Sequence, residues 1–575
     1  MTKLFTIVII LYLSFSSIHA ETIISEPIEI WSEEQTDDSK KTNNISVIEN
    51  DQLENASLPA ISQMEIDYSA YDTIGFFDQT NNGFRPTMWE NSEFDDIEFL
   101  MSQLSSEYKL NTITGLLNKT LLTISTPPKK NINSNNNFLA LKTEYYLQTQ
   151  NDKIIMQILD QISQEDWSDA DLINYINHHL ILKNHKKVCV KKFINNFKNK
   201  KTKLLYQTFC KTMSNNIPAA DLLLSLLQEQ GQVDKEFIYL INTYINAQEI
   251  DLDKIKFPNL LKLSLINNKN IDFSKLINEE SDLGVKKYFA LSNLKTTKKK
   301  IEISEELIQK NLINSNILAS NYKKYISENN IFDTSIYESK NDIEKRIFLF
   351  SEIRKNSDQK YLTKLAEDYV NEMKSSNMLY STHDLIYDKI KVITPSNDLS
   401  DKSFNICILL ILNDDNDKCN QWAQIIKFNK KLNIEYSLIK YYLYLNSENI
   451  SEPFDQKILN NIISSDDVLG FNKNIIVKYI ETTSQIKFPN YWKSKSELNK
   501  ISTVVPNIKT IEYLKNVSKR SVGEAALLII ILHGNNEITL LDDFSIFAVL
   551  DSLYLIDSKT LKKLILEINI KTIAL

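Results

Sequence analysis

Apolar residues recur at three- and four-residue steps along most of the chain from about residue 90 onward, which is the spacing of amphipathic helices. In residues 169–182 they fall on one face of a helix, and a polar turn at residues 183–185 separates this helix from a second one that begins near Val188. Pro218 opens another helix, which ends near Gly231. The pattern predicts an all-α protein.

Pairs of such helices form the expected repeating unit. Residues 404–412 are apolar except for Asn405, the polar run at residues 413–417 makes a turn, and a second helix begins near Cys419. One hairpin cannot bury both of its apolar faces alone, whereas stacked hairpins can. We therefore expect an α-solenoid of degenerate, tetratricopeptide-like helical hairpins, although the sequence has no strict period and the tetratricopeptide signature does not match.

The chain divides into five predicted regions. These are a signal peptide (1–20), a disordered acidic tail (21–63), a turn-rich N-terminal cap (64–135), and the N-terminal (136–335) and C-terminal (336–575) halves of the helical array. The cap is expected to pack across the first hairpins, because terminal repeats need a polar outer surface. An asparagine-rich linker is predicted at residues 131–137, and softer boundaries are predicted at residues 329–341 and 396–400.

Glycine is scarce, with only 8 residues among 575. Tight hairpin turns and phosphate-binding loops both depend on glycine. The composition therefore argues against a many-turned β-sandwich, a barrel or a nucleotide-binding loop.

The N-terminus resembles a secretory signal. Lys3 precedes an apolar stretch at residues 4–13, and Ala20 lies at a suitable cleavage position. An uncleaved N-terminal anchor is the alternative, because Ile18 is bulky for the third position before a cut. The longest later apolar run, residues 525–532, is too short to span a bilayer and is interpreted as a buried core helix with a glycine C-cap.

The predicted export suggests that the four cysteines form disulfide bonds, because disulfides persist in oxidising compartments. Three connectivities are possible, and the pairs closest in sequence are Cys189–Cys210 and Cys407–Cys419. We predict these two bridges. The alternative is four buried free thiols that act as small apolar side chains.

Charge is distributed unevenly along the chain. The acidic tail carries a net charge of −8, whereas residues 64–575 carry only −1. Residues 172–220 contain no acidic residue and ten lysines. The lysines are Lys183, Lys186, Lys187, Lys191, Lys192, Lys198, Lys200, Lys201, Lys203 and Lys211. They form either a solvated helix face or a surface for an anionic partner, which includes the acidic tail itself. Nucleic acid is not expected as a partner in an exported protein.

No catalytic or metal-binding pattern is evident. His178 and His185 have no nearby acid in sequence, and His533 suits a helix C-terminus electrostatically. The acidic turn at residues 413–417 lacks the glycine and the distal glutamate of a calcium loop, so helix capping explains it better. Glu524 is the one candidate for the catalytic acid of a transglycosylase, but we interpret it as a first-turn residue of an apolar core helix. No catalytic residue, metal or cofactor is predicted.

Two short groups of residues resemble a known family. Residues 74–78, Gly83, Phe84, Trp89 and Ser92 are similar to the N-terminal signature of an uncharacterised family of exported helical proteins of alphaproteobacteria. Further shared points are Cys189, residues 208–210, residues 220–231 and residues 522–525. Some members are labelled antifreeze-related, although this chain has no Ala-Ala-Thr repeat. The resemblance implies an exported helical-repeat protein and supplies no activity.

These observations favour a non-enzymatic scaffold in the periplasm of a Gram-negative bacterium. An α-solenoid offers a long surface for an envelope protein or peptide, and the lysine-rich stretch offers one for an anionic surface. The alternative is a peptidoglycan-associated enzyme or its accessory subunit.

Overall fold

A computed structural model describes most of the chain from residue 70 onward. The described residues are 70–130, 137–231, 233–329, 342–447, 454–484, 486–495, 506, 508–534 and 542–573. The predicted signal peptide, the acidic tail, the first residues of the predicted cap (64–69), most of the asparagine-rich linker and all but residue 329 of the boundary at residues 329–341 lie outside them. Within the described residues the regular structure is helical, and β-structure is limited to two isolated bridges, Phe77–Thr123 and Glu93–Lys129. The predicted all-α, solenoid-like fold is confirmed.

The first half of the described chain contains fourteen α-helices. They are α1 (Phe94–Ser102), α2 (Asn111–Leu122), α3 (Phe138–Gln148), α4 (Asp152–Leu159), α5 (Asp169–Ile181), α6 (His185–Val188), α7 (Lys191–Asn195), α8 (Lys200–Met213), α9 (Ile217–Glu229), α10 (Lys235–Ile245), α11 (Leu260–Asn268), α12 (Leu283–Ala290), α13 (Lys298–Gln309) and α14 (Ser315–Asn329). Single-turn 3-10 helices lie at Ala70–Thr73, Gln79–Asn81, Leu252–Lys254 and Ser274–Leu276.

The second half continues in the same style. Its helices are α15 (Asp342–Lys355), α16 (Gln359–Ser375), α17 (Leu379–Thr382), α18 (Asp384–Ile390), α19 (Ser403–Leu412), α20 (Asn416–Ile426), α21 (Asn433–Asn446), α22 (Gln456–Ser464), α23 (Gly470–Ser484), α24 (Pro489–Lys495), α25 (Ile508–Val517), α26 (Val522–His533), α27 (Asp543–Ile556) and α28 (Ser558–Thr572). Two 3-10 helices lie at Asn397–Lys402 and Lys430–Leu432.

Helices end in a recurring turn that uses asparagine where other proteins use glycine. At this turn one residue adopts a left-handed conformation and its N–H donates to the carbonyl three residues back, while the next N–H donates to the carbonyl five residues before itself, a Schellman-type closure. Asparagine tolerates this conformation better than other residues with a side chain. Among the described residues, eight take the left-handed position of this turn, and half of them are asparagine: Gln150, Lys183, Asn215, Ala247, Asn270, Asn311, Asn377 and Asp414.

The first four of these turns recur at a nearly constant spacing, although the amino-acid sequence around them shows no matching repeat. Gln150, Lys183, Asn215 and Ala247 follow one another at intervals of 33, 32 and 32 residues. At the first three, the next residue is an asparagine that caps the following helix. The period belongs to the backbone turns and not to a side-chain signature, which is why the sequence shows no strict repeat.

The predicted cap region contacts both ends of the array. As expected, it packs on the first helices: Asp72 accepts a hydrogen bond from Leu139 N at 3.0 Å, and Lys142 Nζ donates to Ile74 O at 3.0 Å. Helix α2 of the same region also packs against α26 and α28 near the C-terminus, which the sequence did not predict. The Glu567 carboxylate of α28 accepts the N–H groups of Asn111 and Thr112, both at 2.8 Å, and so caps α2.

Several residues on which the family resemblance rests lie where the cap region contacts the C-terminal helices. A Cβ atom at Gly523 would lie 2.5 Å from the Trp89 ring, so only glycine allows the indole to pack on α26. Ser92 Oγ lies 2.6 Å from Ser521 Oγ and donates to Glu524 Oε2 at 3.0 Å. These positions are explained by packing and hydrogen bonding between the two ends of the array.

A buried ionic network joins the two predicted halves of the array. Arg346 of α15 contacts Glu305 of α13 at 2.7 Å and Glu372 of α16 at 3.1 Å, and Tyr322 of α14 donates to Glu305 at 2.6 Å. Each buried charge has a partner of opposite sign, which offsets its desolvation. The described residues from 70 onward belong to one compact unit.

Candidate functional site

A disulfide bond fixes the lysine-rich stretch. Cys189 follows α6 and Cys210 lies in α8, and the two residues are bonded with a Cα–Cα separation of 5.5 Å. The first predicted bridge is therefore present. The bond closes a loop that contains α7 and the turn into α8. It therefore links the backbone of this loop covalently to α8, a helix of fourteen residues.

The second predicted bridge is wrong, because Cys407 and Cys419 are free thiols in the structure. Both are fully buried, and Cys407 Sγ donates to the carbonyl of Cys419 at 3.2 Å. Burial raises the pKa of the Cys407 thiol well above its ordinary value. The pair acts as small apolar side chains between α19 and α20, which was the alternative interpretation.

The lysines of this stretch divide by exposure. Lys203 is half-buried and donates to Asn195 O at 3.1 Å. Lys183 points away from the others, because its Nζ lies 2.5 Å from Leu291 O just beyond the end of α12. Burial and the nearby charge of Lys324 lower the pKa of Lys183 to about 8. Lys183 therefore donates to a carbonyl at the C-terminal end of α12 and is not part of the exposed lysine group.

The remaining lysines form an exposed group that we term the lysine surface. It consists of Lys186, Lys187, Lys191, Lys192, Lys198, Lys200 and Lys201, distributed over α6, α7, the turn before α8 and the first turn of α8. Lys211 is also exposed and lies near the end of α8. Within the described part of the chain, the first six of these seven lysines make no salt bridge. Their charges are available to a partner.

The backbone beneath the lysine surface is held by hydrogen bonds as well as by the disulfide. The Asp169 carboxylate at the start of α5 accepts the N–H groups of Lys198 and Asn199 at 2.7 and 2.8 Å. Asn184 and Asn199 cap α6 and α8 through their side chains. Asp169 was not predicted as part of this site, although it lies only three residues before the acid-free stretch.

A small apolar component accompanies these charges. Leu182 and Val190 are 54% and 38% exposed and lie on either side of α6. Helix α9, which packs against α8, presents Leu222 and Leu226 to solvent one turn apart. Charge therefore dominates this surface, and the exposed apolar side chains are scattered around it.

His178 was expected to lack a nearby acidic residue, but Asp152 of the neighbouring α4 lies beside it. His178 does have an acidic partner, since its Nδ1 lies 2.7 Å from the Asp152 carboxylate. Lys287 of α12 contacts the same carboxylate. The three side chains form a polar cluster that links three helices of the array.

Glu524 occupies the structural role expected from its sequence. It is the third residue of α26, its side chain is fully buried, and it accepts hydrogen bonds from Ser92 and Tyr513. Asp415 likewise caps α20 by accepting Lys418 N at 3.3 Å, as expected for the acidic turn. Both carboxylates are therefore used within the fold.

Comparison with known proteins adds no assignment: the chain matches no protein-family model, no curated protein and no solved structure. Among the described residues, no helix combines the length and the apolar character that a membrane span requires. The same residues contain no group of three or more His, Cys, Asp or Glu side chains with metal-binding geometry.

Proposed function

We propose that this protein is a non-enzymatic, exported helical scaffold whose lysine surface binds an acidic segment of another envelope protein. The observation that carries the proposal is a group of six exposed lysines (Lys186, Lys187, Lys191, Lys192, Lys198 and Lys200) that make no salt bridge among the described residues and lie on a backbone fixed by a disulfide bond and by Asp169. A fixed backbone reduces the entropy that is lost on binding. Concentrated positive charge also accelerates the approach of an acidic partner.

The arrangement favours a protein partner over a lipid surface. Membrane-surface helices present a wide apolar face that enters the lipid, opposite a basic face. Here the lysines lie on helices of four and five residues, in the turn before α8 and on its first turn, and the exposed apolar side chains near them, such as Leu182 and Val190, are scattered. Such a surface suits acidic side chains and lacks an apolar face that inserts into lipid.

Export supports the oxidised state of the loop. The leader at residues 1–20 directs the chain out of the cytoplasm, and the Cys189–Cys210 bond is stable in an oxidising compartment. N-terminal sequencing of protein from a periplasmic fraction tests this part of the proposal, and a chain that begins at Met1 in the cytoplasm contradicts it. Peptidoglycan zymography tests the absence of enzymatic activity, and a cleared zone contradicts it.

The binding experiment compares two sets of variants of the mature chain. In the first, Lys191, Lys192, Lys198 and Lys200 are replaced by glutamine. In the matched control, four exposed lysines outside the lysine surface are replaced: Lys427, Lys430, Lys431 and Lys457. Both sets remove the same charge, so long-range electrostatics change equally and only the local surface differs.

The probe is a synthetic polyglutamate peptide, titrated at low and at physiological salt. We expect the first set to weaken binding by about tenfold or more and the control set to change it little, with weaker binding at higher salt. Equal losses in both sets would refute a specific surface. Tighter binding to phosphatidylglycerol vesicles than to the peptide would replace the protein partner by a lipid one.

A further inference from the structure

A second site lies in a cleft on a different part of the molecule. A cavity of about 470 Å³ opens between α2 with its preceding turn, the C-terminal end of α3, and the turn after α13. Its volume falls in the range of about 300–1,000 Å³ that is typical of small-molecule sites. The cleft exists only because the cap region packs beside the array, so it combines residues distant in sequence.

Neutral polar groups and aromatic rings dominate its lining. Tyr108 and Tyr145 line it with half-buried rings, whereas the ring of Tyr146 is only 1% exposed. Residues that carry a side-chain amide also line it, among them Asn118, Asn311 and Asn377. An amide side chain donates and accepts hydrogen bonds at one position, and a tyrosine ring offers a flat apolar face. This combination matches a ligand that alternates hydroxyl groups with apolar C–H faces.

The charged groups at the cleft are largely neutralised by their neighbours. Lys310 Nζ lies 2.6 Å from the Glu107 carboxylate and 3.1 Å from that of Glu306. Lys109, at the rim, is exposed. A charged ligand would therefore compete with existing ion pairs, whereas a neutral ligand leaves them intact.

Hydrogen bonds hold several of these side chains in place before any ligand binds. Tyr145 donates to Ser105 O at 3.1 Å, and Tyr146 donates to Asn118 Oδ1 at 3.1 Å. Asn311, whose backbone is left-handed, donates to Asn111 Oδ1 at 2.8 Å. No acceptor in the described part of the chain engages Asn118 Nδ2, so its donors remain for a ligand.

We propose that this cleft binds a neutral carbohydrate of roughly two sugar rings, a size that fits its volume. The exposed parts of the Tyr108 and Tyr145 rings stack against the C–H faces of the sugar, and the amides pair with its hydroxyl groups. This inference is independent of the lysine surface, because the two sites share no residue.

The test is isothermal titration of the mature chain with neutral disaccharides: N,N′-diacetylchitobiose, cellobiose and maltose. We expect at least one to bind with a dissociation constant of about 1 mM or below. Tyr108→Ala removes a ring from the cleft and is expected to weaken that binding by about tenfold or more. Tyr361→Ala, at an exposed position on α16, is the matched control and should leave it unchanged.

A second variant separates binding from folding. Asn118→Leu removes the amide donors, and its unfolding temperature reports whether the fold survives. A folded Asn118→Leu protein that binds the disaccharide as tightly as the natural chain would overturn the proposal. So would the absence of binding by all three sugars, or tighter binding of a uronic-acid disaccharide. Polyglutamate binding by Tyr108→Ala, measured alongside, distinguishes failure of this site from failure of the lysine surface.

Discussion

His533 at the end of α26 is an ionisable side chain placed where a charge is costly. It is 2% exposed, and neither ring nitrogen has a hydrogen-bond partner in the described residues. Burial lowers the pKa of His533 to about 4. The expectation of a charged histidine that favours the helix C-terminus is therefore wrong, because desolvation outweighs the attraction of the helix dipole.

We predict that His533 makes the fold sensitive to mild acid. The unfolded chain binds this proton with a pKa near 6.5 and the folded chain only near 4. Stability is therefore fully present above pH 6.5 and is lost as the pH falls toward 4, by about 3 kcal/mol from this residue. Urea unfolding at pH 8, 6.5, 5 and 4 should show a shallower decline for His533→Phe than for the natural chain. Parallel curves would contradict the prediction.

Single residues also mark the limit of sequence analysis. The short spacing of the cysteines suggested both the Cys189–Cys210 and the Cys407–Cys419 bridge, yet only Cys189–Cys210 is formed. The partner of His178 is Asp152, on a different helix, and Lys183 serves the distant α12. The sequence reveals which residues are ionisable, but their partners depend on how helices pack.

Helices were the most predictable feature of the molecule. Apolar spacing located α5, α9, α19 and α26 to within a few residues, because those helices bury one continuous face or are apolar all round. The helix expected to begin near Val188 is instead two short helices, α6 and α7, with Cys189 and Val190 between them. A local apolar pattern did not reveal the break at which the disulfide is formed.

The disulfide-closed loop yields a prediction at the level of the element. Cys189→Ser/Cys210→Ser removes a bond across 21 residues and should lower the free energy of unfolding by about 3 kcal/mol, by releasing the unfolded chain. Hydrogen exchange should rise first in α6 and α7, which are too short to be stable alone. Unchanged exchange in these helices would show that Asp169 holds the loop without the bond.

Thiol counting provides the control for this prediction. Denatured protein without reductant should show two reactive thiols, Cys407 and Cys419, and four after reduction. Reductant should not destabilise the double variant further. A count of zero before reduction would mean that the second pair is bonded as well.

At the scale of the whole molecule, the contact between the two ends was beyond sequence analysis. Hydrogen bonds such as Asn111–Glu567 and Ser92–Glu524 join residues more than 430 positions apart. Helical patterning predicts that neighbouring hairpins stack, but it carries no information about which distant helices meet. The cleft beside α2 was missed for the same reason, since the cap supplies one of its walls.

The ion pair between Lys119 of α2 and Asp557, which caps α28, tests whether this junction supports the whole fold. The two charges are 2.8 Å apart, and their side chains are 11% and 6% exposed. Lys119→Met removes the ammonium, which also lies 4.4 Å from the centroid of the Phe84 ring, and leaves Asp557 buried without its counterion. We expect a loss of about 3 kcal/mol or more in the free energy of unfolding. Asp557→Asn retains the cap on Thr560 and should cost a similar amount.

A double-mutant cycle separates this coupling from local damage. If the ends stabilise each other through this pair, the double variant should lose less than the two single losses combined, by about 1–3 kcal/mol. Hydrogen exchange in Lys119→Met should then increase at the start of α28 while α9 and α10 stay protected. Lys275→Met breaks the exposed pair with Asp253 and provides the control, which should change stability far less. Additive losses, or an effect no greater than that of Lys275→Met, would mean that the two ends fold independently of this contact.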